Sequence, residues 1–344
     1  MDVLDVGQGD AILIRTPANK TILIDAGDGD VNLPKLLTGL GVTSLDLVIG
    51  THAHADHIGG MDEVLDAFPV KNYIDNGLPH TTRTYESVMA RIEQKQIPYR
   101  TGIVGTSFKL DDGAVLELLF PPATPLKDTR SDLNSNSVVA RLTHGDDCFL
   151  FTGDSEEPTE RALVAAGLGQ CDVLKVAHHG SNHSSTPAFL AAVKPSIAVI
   201  SVGTGNRYGH PGEETMGRLE GTSAALYRTD LDGQVTLLSD GKKIKVETLR
   251  TRPNSGAVAL TTEVNRPRPS IQAAAAHPAH DLTPAAVDNM PAQACAFPSS
   301  ASSEVFHEAG CGHAARISPG NLVCYQTREQ ALAGGKRPAG CCSP

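Results

Sequence analysis

Three histidines and one aspartate crowd into six residues, His52-Ala-His54-Ala-Asp56-His57, directly after the apolar run Leu47-Val-Ile. The nearly continuous apolar stretch Leu45–Gly50 is what a strand shows when both of its faces are covered. The cluster therefore occupies the loop leaving that strand's carboxyl end. One helix cannot turn four side chains at this spacing toward a single point. A tight loop can, with alanines between the polar residues and Gly59-Gly60 behind them. Neutral imidazole and carboxylate suit Zn, Mn or Fe. A single loop rarely completes such a site, so more donors are expected at the ends of later strands.

Asp154 ends the apolar run Phe149-Leu-Phe-Thr-Gly153, where a carboxylate can bridge two ions or serve as an ordinary turn or cap residue. His178 and His179 follow the strand Asp172–Ala177. Adjacent histidines do not easily face one ion, so one ligand and one supporting or substrate contact are expected. His210, in Arg207-Tyr-Gly-His210-Pro211, follows the strand Ile197–Val202 and fits a ligand or a turn residue.

From Met1 to about Arg250, short apolar runs alternate with helical stretches, which points to layered α/β architecture. Strands are expected at Val3–Val6, Ala11–Thr16, Thr21–Asp25, Val115–Phe120, Val138–Thr143, Cys148–Thr152, Val173–Ala177, Ala225–Thr229, Val235–Leu238 and Ile244–Leu249. Helices are expected at Pro34–Leu40, at Thr84–Gln96 with Val88 and Ile92 on one face, at Ser155–Ala166 capped by Ser155, and at Pro187–Val193. With no tryptophan and 4% aromatic residues, the core must be built mainly from Val, Leu, Ile and Ala. Cys148 and Cys171 stand alone in this region and read as small buried hydrophobes. Residues 251–303, rich in Ala, Pro, Ser and Thr, read as a flexible linker. Residues 304–344 concentrate Cys and His in a small module.

The ordered set Asp5-Val-Gly-Gln8-Gly-Asp10-Ala11, Ile24-Asp25-Ala-Gly27, His52-Ala-His54-Ala-Asp56-His57, Gly153-Asp154, His178-His179-Gly180-Ser181 and Tyr208-Gly-His210-Pro211 resembles the metallo-β-lactamase superfamily. More narrowly, it resembles the hydrolase domain of ComEC-type competence proteins and their free-standing relatives. The resemblance covers residues 2–250 and implies a four-layer αββα sandwich with a dinuclear metal site. It assigns His52 and His54 to one ion, Asp56 and His57 to the other, and Asp154 to the bridge. His178 or His179 and His210 complete the shells, Asp25 supports the loop, and Asp10 lies at the rim. Members that cleave lactams or thioesters usually carry another ligand histidine before the bridging aspartate. Here that interval holds Asp132-Leu-Asn134-Ser-Asn136-Ser137, similar to the competence subgroup, which favours phosphodiester chemistry. The C-terminal segment is similar to the zinc module of Ada-type repair proteins, with Ala339 where a cysteine is expected. Zinc binding by Cys311, Cys324, Cys341 and Cys342 stands beside a disulfide or a degenerate stub.

The resulting expectation is a hydrolase using two divalent ions, Zn or Mn, on DNA, with Asp56, Asp154 and His179 in the chemistry and Asp10, Asn134, Asn136 and Ser181 touching substrate. The alternatives are a phosphorylcholine, ester or lactone hydrolase of the same fold, and a DNA- or surface-binding module without turnover. A net charge of −10 argues against a broad basic surface that holds nucleic acid by counterion release alone, although bound cations can reverse the potential locally. No apolar run approaches the ~18 residues of a membrane span. The chain is expected to be soluble. An export signal upstream of Met1 and the compartment stay open, and no protein partner is legible.

Overall fold

The computed structural model describes residues 1–110, 113–250, 280–281, 297–300, 305–307, 322–325, 328 and 336–338. It divides into two units, Met1–Pro284 and Ala285–Pro344.

The first unit is the expected four-layer sandwich. One sheet runs in the order Ile244–Thr248, Val235–Ser239, Asp2–Val3, Ile12–Arg15, Thr21–Ile24, Leu47–Ile49, Tyr73–Asp75 and Tyr99–Thr101. Its first half is antiparallel, and from Thr21–Ile24 onward it is parallel. The second sheet runs Ala225–Arg228, Ile197–Ile200, Val173–Lys175, Asp147–Phe151, Val139–His144, Val115–Phe120, Ser107–Lys109 and His280–Asp281. It is parallel from Ala225–Arg228 to Asp147–Phe151, then antiparallel to Ser107–Lys109.

Strand periodicity explains the layering. Ile22, Ile24, Leu47 and Ile49 pack between the sheets with Phe149, Phe151, Val173, Ile197 and Val199. Their neighbours Leu23 and Val48 face the other way, onto a cluster with Leu33, Leu37, Val64, Leu65, Val88 and Ile92 from helices Leu33–Gly39, Met61–Ala67 and Arg83–Gln94. Ala198 and Ile200 likewise meet Leu163, Phe189, Leu190 and Leu219 from helices Glu157–Ala165, Pro187–Val193 and Glu213–Glu220. Successive residues of a strand point to opposite faces, so strands buried on both sides read as unbroken apolar runs.

Three sequence expectations change. The helix expected from Ser155 starts at Glu157, with Pro158 in its first turn and no side-chain cap. Proline's fixed φ suits that position, and Ser155 is buried, its carbonyl accepting from Ser184 Oγ at 2.7 Å. Cys148 and Cys171 are not solitary. They form a disulfide from the strand Asp147–Phe151 to the residue two positions ahead of its parallel neighbour Val173–Lys175, with Cα atoms 4.9 Å apart. His280–Asp281 and Phe297–Ser300, inside the segment read as a linker, pair as strands. In the second unit, Leu322–Tyr325, Phe297–Ser300, Val305–Phe306 and Arg337–Pro338 form a small sheet, with the rings of Phe297 and Phe306 5.7 Å apart. Cys324 falls on one of these strands, whereas Cys311, Cys341 and Cys342 lie outside the described residues.

Asp75, at the end of its strand, accepts at Oδ1 from Tyr99 Oη and Gly77 N, both at 2.7 Å. Burial pushes its carboxyl up to about 6, against these bonds. A carboxyl raised on folding contributes stability that is complete below its unfolded value near 3.9 and is lost as pH rises through the folded value. Asp75→Asn keeps the Oδ1 acceptor and cannot ionise. Its stability relative to the parent, from urea midpoints, should therefore rise by about 2–3 kcal/mol between roughly pH 4 and pH 7.

Candidate metal centre

The polar residues leave both sheets from the carboxyl ends of parallel strands. Asp25 follows Thr21–Ile24, His52–His57 follows Leu47–Ile49, Asp154 follows Asp147–Phe151, His178-His179 follows Val173–Lys175, and His210 follows Ile197–Ile200. Parallel strands end on one edge, so each sheet delivers its donors to a single side, the usual binding edge of α/β sheets. Backbone close approach locks the two sides of the loop. Asp10 N donates to Asp56 O at 3.1 Å, and a Cβ on Gly9, whose φ is +120°, would run into that same carbonyl oxygen.

Asp154 is the meeting point, 1% exposed. Its Oδ1 lies 3.1 Å from His57 Nε2 and 3.6 Å from His179 Nε2. Its Oδ2 lies 3.6 Å from His178 Nε2 and 3.9 Å from His52 Nε2. His179 Nε2 is also 3.2 Å from Asp56 Oδ2. The donor atoms of Asp56, His57, Asp154 and His179 all lie within 4.8 Å of one another. On the other side, His52 Nε2 faces His54 Nδ1 at 3.0 Å.

The backs of the His52, His57 and His179 rings are hydrogen-bonded, which turns Nε2 of each toward the cluster. His179 Nδ1 lies 2.9 Å from Ser201 O, an oxygen that can only accept, so Nδ1 carries the proton and Nε2 faces the cluster. His57 Nδ1 donates to Asp25 Oδ2 at 2.7 Å. Thr51 Oγ1 gives its hydrogen to Asp25 Oδ2 at 2.7 Å, so it accepts from His52 Nδ1 at 3.2 Å, leaving His52 Nε2 bare. Outer partners of this kind fix tautomer and ring orientation in metal sites. His57 Nε2, His179 Nε2 and Asp154 Oδ1 have no hydrogen-bond partner although all are buried. Leaving such groups unsatisfied costs about 1–3 kcal/mol each, a penalty that a shared divalent cation removes. The donor set fits that cation.

Electrostatics divides the histidines. Burial lowers His52 and His54, with the neighbouring imidazolium of His57 adding to it in both, so they are neutral. Burial also opposes charge on His57 and His179, but the carboxylates outweigh it. Asp154 and Asp25 raise His57 well above its usual value, and Asp154, Asp10 and Asp56 push His179 up to about 10. Asp154 is correspondingly held well below the usual carboxylate range, although burial alone would raise it.

His178 (φ 51°, ψ 43°) and His179 (φ 53°, ψ 24°) are both left-handed, a conformation costing roughly 1–2 kcal/mol per non-glycine residue. Their rings face opposite oxygens of Asp154, and His179 is the one whose donor atom joins the close group with Asp56, His57 and Asp154. His210 sits one ring further out, 5.6 Å from the His178 ring. The ring of His80 stands 6.3 Å from that of His54.

Three expected substrate contacts are corrected. Asp10 is 1% exposed rather than at the rim, ion-paired to buried Lys175 Nζ at 2.7 Å. That pair and the Asp25–His57 bond account for the second carboxylate cluster, Asp10, Asp25 and His57. Asn136 is buried and clamps a loop, its amide bonded to Leu126 N, Leu126 O and Asp132 O. Ser181 is buried, its Oγ accepting from His183 N at 3.4 Å. Asn134 does line the cleft. This cleft, about 730 Å³, is also lined by His54, Asp56, Asp154, His178 and His210. Arg130, Glu156, Arg207 and Lys175 were missed. A lysine within Val173-Leu-Lys-Val-Ala was the available signal for Lys175, since a lone cation in an apolar strand requires a buried partner.

Lys175→Met removes the counter-ion of a buried carboxylate and should cost about 3–5 kcal/mol. Adding Asp10→Asn should recover part of that loss, as read by urea denaturation of the single and double variants.

The family model of the metallo-beta-lactamase superfamily matches residues 4–204. The chain is 29% identical over 257 residues to ComE operon protein 3 of Bacillus subtilis (strain 168), covering 68% of this chain and 32% of that protein. It is 32% identical over 255 residues to competence protein ComA of Neisseria gonorrhoeae, covering 72% of this chain and 33% of that one. The chain thus spans about a third of the length of these curated relatives. Among solved structures, the metallo-beta-lactamase fold protein YhfI from Bacillus subtilis is similar, with a TM-score of 0.44 and 12% identity over 66% of this chain and 94% of that one. With the family model spanning more than half its length, the chain belongs to the metallo-β-lactamase superfamily.

Proposed function

We propose that this chain is a metal-dependent phosphodiesterase acting on DNA. The observation that carries the reading is the division of Asp154, whose Oδ1 faces His57 and His179 while Oδ2 faces His178 and His52. Asp56, His57, Asp154 and His179 would hold one ion. His52, His54, Asp154 and His178 would hold the second. Divalent Zn or Mn there supplies the charge that acidifies water near neutral pH and neutralises phosphoryl oxygens as the transition state forms.

The protein's own groups do the rest. Asp56 opens to the cleft and is held below the usual carboxylate range by His179 and His57 in spite of burial. An acid ionised at every working pH is a hydrogen-bond acceptor that orients the attacking water, rather than a base of matched strength. Burial and the neighbouring histidines bring His210 down to about 4, so at neutral pH it presents an uncharged ring to the cleft. Arg130, Asn134 and Arg207 are the donors available to phosphoryl oxygens along the wall. The stretch Asp132-Leu-Asn134-Ser-Asn136-Ser137, in the interval where lactam- and thioester-cleaving relatives usually carry a ligand histidine, supports the phosphodiester reading. The names of the competence relatives support DNA.

Metal-stripped protein titrated with Mn²⁺ or Zn²⁺ should regain cleavage of bis-p-nitrophenyl phosphate and end-labelled single-stranded DNA. Asp154→Asn should lose on the order of 10³-fold in rate while keeping its circular dichroism spectrum. A variant of near-normal activity would sink the dinuclear reading. Because His57 and His179 surrender protons on taking up an ion, calorimetry in buffers of different ionisation enthalpy should show proton release, with affinity falling as pH drops.

A further inference from the structure

One wall of the cleft is the turn Asn206-Arg207-Tyr208-Gly209-His210. Asn206 holds it with every bond its amide can make. Oδ1 accepts from Tyr208 N at 3.1 Å and His210 N at 3.0 Å, and Nδ2 donates to Gly203 O at 3.0 Å and His210 O at 2.7 Å. On this rigid turn Tyr208 stands 50% exposed. Its ring lies nearly parallel to that of His210, 16° off with centroids 5.9 Å apart, and His210 in turn abuts His178. Arg207 places its guanidinium 5.0 Å from the Tyr208 centroid and donates from Nη2 to the hydroxyl at 2.8 Å.

A single exposed ring is ordinary on a protein surface. Here, among the described residues, Tyr208 is the one aromatic side chain among the exposed large apolar ones, and it faces the cleft beside the metal donors. A half-exposed aromatic ring with a guanidinium reaching over it and bonded to its hydroxyl matches a nucleotide, the base on the open part of the ring and the phosphate on the guanidinium. It does not match a quaternary ammonium head group, because Arg207 already occupies the cation–π position and would repel a second cation.

We propose that Tyr208 is the stacking platform for an unpaired base next to the scissile phosphodiester, with Arg207 holding the adjoining phosphate, so that the substrate is taken as a single strand. This rests on the phosphodiesterase reading. Stacking is tolerant of sequence because every base offers a π-face, whereas a paired base within a duplex has none free.

The test pairs Tyr208→Ala and Tyr208→Phe with a thymidine oligonucleotide and a strand of equal length built from abasic units. Stacking is worth about 1–3 kcal/mol per base. Tyr208→Ala should therefore raise KM for the thymidine strand about 5- to 100-fold, with a smaller change in kcat and most of the affinity restored by Tyr208→Phe. The abasic strand should impose the same KM penalty on the parent protein and no further penalty on Tyr208→Ala. Quenching of a 2-aminopurine oligonucleotide with phosphorothioate linkages reads binding without turnover, and Tyr208→Ala should abolish it. Duplex of the same sequence should be cleaved at least about tenfold more slowly. Additive penalties, unchanged quenching in Tyr208→Ala, or equal cleavage of duplex would overturn the stacking role while leaving the phosphodiesterase intact. A parent protein that turns over neither oligonucleotide nor bis-p-nitrophenyl phosphate overturns the phosphodiesterase reading itself, and the quenching measurement then decides Tyr208 alone.

Discussion

Asp154 carries a charge with almost no water around it, and it stays ionised only because imidazoles arrive at it from two different sheets. A buried carboxylate without partners is expensive enough to neutralise itself. His52 and His57 come from the loop after Leu47–Ile49, and His178 and His179 from the bend after Val173–Lys175. The same need propagates outward. His57 leans on Asp25, which takes Thr51 N and Oγ1 as donors, and His179 leans on Ser201 O beside the Asp10–Lys175 pair. The site is thus a nested set of buried polar groups, each made tolerable by the next.

The sandwich supplies the rigidity that such a set requires. The central core between the sheets and the two outer cores under the helices bury the central strands Leu47–Ile49, Asp147–Phe151, Val173–Lys175 and Ile197–Ile200 throughout. A shift of either sheet would pull one half of the donor set away from Asp154. Against this fixed centre, the two left-handed histidines are places where local backbone preference yields to the site. Strain of this sort persists only where surrounding packing over-determines it. The cleft joins the two regimes, with a buried acidic and imidazole floor and a wall carrying exposed Arg207 and Tyr208.

Much of this was legible without coordinates. The strands Thr21–Ile24, Leu47–Ile49 and Val115–Phe120 announce themselves through β-branched and leucine-rich runs, and the helix Pro187–Val193 through its proline start. Short elements such as Tyr73–Asp75 and Met61–Ala67 were not legible, because three to seven residues carry too little periodicity. Asp10 was placed at the rim by the family resemblance, and Asn136 looked like a substrate contact in its Asn-Ser segment. Their buried partners, Lys175 and the backbone around Leu126, lie 165 and 10 residues away. The Cys148–Cys171 pairing was hidden in the same way, since it depends on two strands lying side by side.

The sequence by itself determined the layered α/β class, the segment after Leu47–Ile49 that carries His52, His54, Asp56 and His57, and the later residues Asp154, His178 and His179, although Asp56 and His57, expected in a loop, stand on the helical turn Ala55–Ile58. These follow from local pattern, since apolar runs mark strands and polar residues at their carboxyl ends mark a site edge. The tertiary structure decided which nitrogen of His52, His57 and His179 is turned inward and which oxygen of Asp154 each one faces. It also decided that Asp10 is a buried support and that Tyr208 stands open beside the cluster. Those are properties of pairs distant in the chain. Hydrogen-bond partners and burial are set by packing, and no local run of residues encodes them.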